Sequence, residues 1–67
     1  MDAMNEMAAV IYSAVEDFEE AADLLRKALF CADQRNVAEA AVHLRSALDR
    51  KHRAESTTRE LLLRLEG

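Results

Sequence analysis

The chain has 67 residues, a formal net charge of −4, a single cysteine and no proline. The hydrophobic core of a single domain of this length contributes only about 3–5 kcal/mol to stability. Such chains therefore usually need a cross-link, such as a disulfide or a bound metal, or a partner chain. The lone cysteine excludes an intramolecular disulfide and, with an acidic N-terminus, favours a cytoplasmic protein over a secreted one. No apolar run approaches the ~20 residues of a membrane span, so no membrane contact is expected.

The composition predicts an all-α fold. Ala, Leu, Glu and Arg dominate, and all four are strong helix formers. Residues 1–67 are predicted to form a single domain with a helix over about 3–32, a turn over 33–36 and a helix over about 37–66. A short connection makes the two helices antiparallel neighbours, which is a helical hairpin.

The first predicted helix carries a wide apolar stripe. Apolar residues recur at alternating spacings of three and four over four heptads. Small alanines flank the large side chains, so the stripe is wide enough to contact two neighbouring helices. The large members are expected to form a hydrophobic interface, and they are Met4, Met7, Ile11, Val15, Phe18, Leu25 and Leu29.

The turn is marked by Asn36 and Glu39. Asn is among the best N-cap residues, because its side-chain oxygen accepts a hydrogen bond from an unpaired backbone N–H. Glu39, three residues later, is expected to reach back to the N–H of Asn36 and complete a capping box. The second helix is therefore predicted to begin directly after Asn36.

The second helix continues the hydrophobic interface, but polar residues interrupt the apolar pattern in the middle of the helix. Its expected interface residues are Val37, Leu44, Leu48, Leu61, Leu62 and Leu65. Between Leu48 and Leu61 the same heptad positions are occupied by Lys51, Glu55 and Thr58. Either a continuous helix carries a polar layer in its seam, with Lys51 and Glu55 paired, or the helix breaks near 54–57 and a short third helix follows.

Charge favours the continuous helix. Folding about a turn near residues 34–35 places the acidic segment 16–20 level with the basic segment 49–53. Exposed ion pairs of this kind contribute only ~0–1 kcal/mol each to stability. They therefore favour the antiparallel register of the two helices more than they stabilise the fold.

A single hairpin would leave much of this apolar surface uncovered. A second hairpin would cover it and give a four-helix bundle. A homodimer is the default expectation for such pairing, and binding to another helical protein is the alternative.

No pattern in the chain indicates catalysis, so we expect a non-enzymatic protein without a cofactor. Glu39 and His43 place a carboxylate and an imidazole one helical turn apart, which is half of a metal site. Bundles with paired metals use a spacing of three rather than four, and no metal is expected here. Cys31 has no base beside it in sequence, so a packing role is expected for it.

These features favour a small helical interaction or adaptor protein of the regulator or co-chaperone type. The alternative is a dimeric RNA-binding regulator. The expected architecture resembles, in shape and length, the dimeric helical hairpins that control plasmid copy number by binding RNA. Contact with nucleic acid would use the basic residues of the second helix, which are Arg45, Arg50, Lys51, Arg53 and Arg59.

Overall fold

A computed structural model describes residues 3–67 and contains two α-helices, α1 (Ala3–Asp33) and α2 (Val37–Glu66). The all-α prediction is confirmed, and the described residues contain no strand. The two helices pack against each other as a hairpin. Helix α2 is continuous through residues 54–57, so the short third helix does not form in this part of the chain.

The turn begins with a left-handed cap at the end of α1. Arg35 has φ of 60°, a conformation that glycine normally supplies. Its N–H donates to the carbonyl of Ala32 at 2.9 Å, and the N–H of Asn36 donates to the carbonyl of Cys31 at 2.8 Å. This pair of hydrogen bonds is a Schellman motif, which satisfies carbonyls at the end of α1 that would otherwise lack partners.

Asn36 is the N-cap of α2, as predicted, and accepts a hydrogen bond from the N–H of Glu39 at 3.2 Å. The second half of the predicted capping box is wrong. The N–H of Asn36 already donates to Cys31, and the Glu39 carboxylate instead lies 3.8 Å from Nε2 of His43. Asn36 therefore holds the last turn of α1 and the first turn of α2 together.

The side chains buried between the two helices are alanines. In each helix they recur every seven residues, which is the heptad spacing of a coiled coil. Each has at most 9% of its surface exposed, and Ala54 has none. A methyl side chain allows two helices to pack closely. The helix–helix seam consists of Ala14, Ala21, Ala28, Ala40, Ala47 and Ala54.

The polar layer expected in the seam of α2 does not form. Ala54 continues the heptad of Ala47, so the contact between the helices does not falter there. Lys51 and Glu55 lie beside the seam rather than in it. The Oε1 of Glu55 lies 3.8 Å from Nδ1 of His52, and within the described residues Glu55 does not pair with Lys51.

The hairpin is a flat layer. Its principal extents are 49 × 18 × 12 Å, and the smallest of these is close to the ~10–12 Å diameter of a single helix with its side chains. A layer that is one helix thick has two broad faces, and neither is covered by another element of the described chain.

Enlarging a seam residue should force the helices apart. Ala54→Leu should lower the free energy of unfolding by about 1–3 kcal/mol, because Ala54 is fully buried and the added atoms have no space in the seam. Thermal and urea unfolding followed by circular dichroism measure the change. Ala9→Leu is the control, because Ala9 is an exposed helical alanine for which a change within about 0.5 kcal/mol is expected. Equal effects of the two substitutions would contradict the alanine seam.

Candidate functional site

The candidate site is one broad face of the hairpin, here called the apolar face. Each residue of an α-helix turns by about 100°, so positions one and four after a seam alanine fall on the same side of the seam. In both helices these positions are mostly apolar. The apolar face comprises Met4, Ile11, Val15, Phe18, Ala22, Leu25, Leu29, Val37, Ala41, Leu44, Leu48, Leu62 and Leu65.

Large side chains on this face are exposed in the single hairpin. Their exposed fractions range from 44% for Phe18 and Val15 to 78% for Val37. No large side chain in the described residues is fully buried. The single hairpin thus buries small side chains and leaves its large ones in water. Scattered exposed apolar residues are ordinary, but a contiguous row of them marks an interaction surface.

A groove of about 490 Å³ lies in the middle of the apolar face. Its floor is the seam itself, and Leu25 and Leu44 form opposite walls. Lys51 is the charged residue at its edge. The groove is lined by Phe18, Ala21, Ala22, Leu25, Leu44, Ala47, Leu48 and Lys51.

The structure divides the thirteen predicted interface residues between two places. Met7 and Leu61 are half-buried and continue the seven-residue spacing of the seam beyond Ala14 and Ala54. The other eleven lie on the apolar face. The periodicity of the sequence therefore does not separate the surface used inside the hairpin from the surface left outside it, and the role of these residues as an interface stays a prediction.

The opposite broad face, here called the polar face, carries a cluster of ion pairs that joins α1 to α2. Asp17 is 7% exposed, and its Oδ1 lies 3.3 Å from Nη1 of Arg50 and 3.8 Å from Nη1 of Arg53. Arg50 also lies 3.1 Å from Oε2 of Glu20. The predicted pairing of the acidic segment of α1 with the basic segment of α2 is confirmed for these four residues.

The basic residues considered for RNA contact do not converge on one patch. Arg50 and Arg53 lie against Asp17 on the polar face, whereas Lys51 borders the apolar groove. Arg45 and Arg59 are exposed and face away from the seam. Fourteen residues of helix separate these two, which corresponds to about 21 Å.

The structure adds a third member to the Glu39–His43 pair. Cys31, at the end of α1, lies beside them, and the potential ligand atoms of the three residues are all within 4.8 Å of one another. The spacing of residues within one helix does not group Cys31 with Glu39 and His43, because Cys31 lies on the other helix. The signal that was available is that all three lie within two turns of the loop.

Comparison with protein-family models, with curated proteins and with solved structures finds no match to this chain. Within residues 3–67, neither helix is long and apolar enough to cross a membrane.

Removing the arginine at the centre of the ion-pair cluster should destabilise the hairpin. Arg50→Ala leaves the buried Asp17 carboxylate with only the more distant Arg53, so we expect a loss of about 1–3 kcal/mol in the free energy of unfolding. Denaturant unfolding measures it. In the control, Arg26→Ala removes an exposed pair of 2.6 Å with Asp23 and should cost less than about 0.5 kcal/mol. Equal losses would show that burial of Asp17 is unimportant.

Proposed function

We propose that the chain is a non-enzymatic helical interaction protein, of the regulator or co-chaperone type, that works as a homodimer. Two hairpins pack their apolar faces together and form a four-helix bundle. The observation that carries this proposal is that most of the large exposed apolar side chains occupy one face, while the buried apolar side chains between the helices are alanines.

The size of the apolar face supports a second copy as its occupant. A face of 49 × 18 Å has a projected area of about 880 Å². A specific, stable interface buries about 800 Å² on each partner. One hairpin laid on another therefore supplies the area that a stable dimer needs, without any further segment.

Charge on the apolar face also fits a second copy. Lys51 and Glu55 are the charged residues that interrupt the face, and they lie near the middle of α2 (Val37–Glu66). A two-fold axis that places α2 antiparallel over α2 of the second copy maps the middle of the helix onto itself. Lys51 of each copy then lies near Glu55 of the other, and this reciprocal pairing sets the register of the dimer.

A charge placed inside the groove should separate the two copies. Leu44→Asp puts a carboxylate into the interface without a partner there, so we expect a shift from dimer to monomer and a loss of thermal stability. Size-exclusion chromatography and circular dichroism at matched concentration measure the two effects.

Val42→Asp is a closely matched control. Val42 is 51% exposed in the single hairpin and Leu44 is 47% exposed, but Val42 lies two residues after Ala40 and so points away from the seam. A dimer through the apolar face predicts that Val42→Asp stays dimeric. Dissociation by both substitutions, or by neither, would refute the proposed interface. A monomeric wild type would refute the homodimer itself.

A further inference from the structure

A separate cluster of possible metal ligands lies beside the turn, on the polar face. Cys31 comes from the last turns of α1, and Glu39 and His43 come from the first two turns of α2. One potential ligand atom from each residue lies within 4.8 Å of the other two, and the Oε2 of Glu39 is 3.8 Å from Nε2 of His43. These residues have no role in the proposed dimer.

The turn itself brings the three residues together. Asn36 donates its N–H to the carbonyl of Cys31 and accepts the N–H of Glu39 on its side chain, so the backbones at two of the three positions are tied to one residue. Glu39 and His43 are four residues apart, which places them on adjacent turns of one helix side. The left-handed conformation of Arg35 closes the turn tightly enough for Cys31 to meet them.

We propose that Cys31, Glu39 and His43 bind one Zn²⁺ ion. Thiolate, imidazole and carboxylate are the three side-chain ligands that zinc uses in proteins, at about 2.3, 2.0–2.1 and 2.0–2.2 Å. Tetrahedral bonds of these lengths place the ligand atoms about 3.3–3.6 Å from one another. The 3.8 Å between Glu39 and His43 is already close to that range, and side-chain rotations must bring the thiol of Cys31 in from a separation of up to 4.8 Å.

The donor set also selects the class of metal. A thiolate and an imidazole do not suit Mg²⁺ or Ca²⁺, which take oxygen ligands. Three protein ligands leave the fourth tetrahedral position to water. Glu39 is exposed and the other two residues are half-buried, so an ion can enter directly from solvent. Bound there, it ties the end of α1 to the start of α2 and replaces the proton of the Cys31 thiol.

Titration of the reduced full chain with Co²⁺, followed by displacement with Zn²⁺, tests this site. One Co²⁺ per chain should bind, with tetrahedral visible bands and a thiolate-to-cobalt charge-transfer band, and Zn²⁺ should abolish both. Cys31→Ser should remove the charge-transfer band, and His43→Ala should weaken binding at least tenfold. Zn²⁺ should raise the Tm of the wild type by several degrees and leave that of Cys31→Ser unchanged.

His52→Ala is the matched control. His52 also lies 3.8 Å from a carboxylate, that of Glu55, but it belongs to no three-residue cluster in the described chain. Unchanged Co²⁺ binding by this variant supports the site. Equal weakening by His43→Ala and His52→Ala, a spectrum without the thiolate band, or one ion shared by two chains would overturn it. Because the cluster lies away from the apolar face, each of these results is independent of whether the protein dimerises.

Discussion

Close packing of the two helices through small side chains determines the geometry of this hairpin. The seam alanines recur every seven residues in both helices, so the same side of each helix faces its neighbour along the whole hairpin. A buried methyl group contributes about 0.8 kcal/mol, whereas a fully buried Leu or Phe contributes about 1.5–3 kcal/mol. The seam thus sets the geometry of the hairpin, but the larger part of the available apolar surface remains outside it.

The seam also separates the two broad faces by chemistry. Positions one and four after the seam alanines are mostly apolar, whereas position three after four of the six alanines carries Asp17, Cys31, His43 and Arg50. The cross-helix contacts of Asp17 with Arg50 and Arg53 lie on this second side. Each face is therefore available for a different purpose.

Much of this fold could be predicted from residue spacing. The ends of the helices are predicted by helix propensity and capping residues. Asn36 marks the start of α2 because its side chain accepts a hydrogen bond from the backbone N–H of Glu39. The cross-helix pairing of segments 16–20 and 49–53 followed from the position of the turn alone. These features depend on local geometry or on simple antiparallel numbering.

The remaining features depend on how the two helices are rotated about their axes. A stripe that contains Ala21, Ala22 and Leu25 can turn either its small or its large residues toward the neighbour, and periodicity does not distinguish the two. In the structure the small residues face inward, since Ala21 and Ala47 are buried whereas Leu25 and Leu44 are exposed. The same rotation brings Cys31 to His43, which no spacing within one helix reveals.

Absolute mass in solution, measured by light scattering after size exclusion over a range of concentrations, shows whether a second copy covers the apolar face. If the apolar face is covered by a second copy, the mass is twice the 7.5 kDa of one chain, and the Tm falls on dilution as the copies separate. A 7.5 kDa species that unfolds cooperatively, with the same Tm at every concentration, would contradict the account. It would mean that an alanine seam alone sustains the hairpin and that its large apolar side chains need no partner to fold.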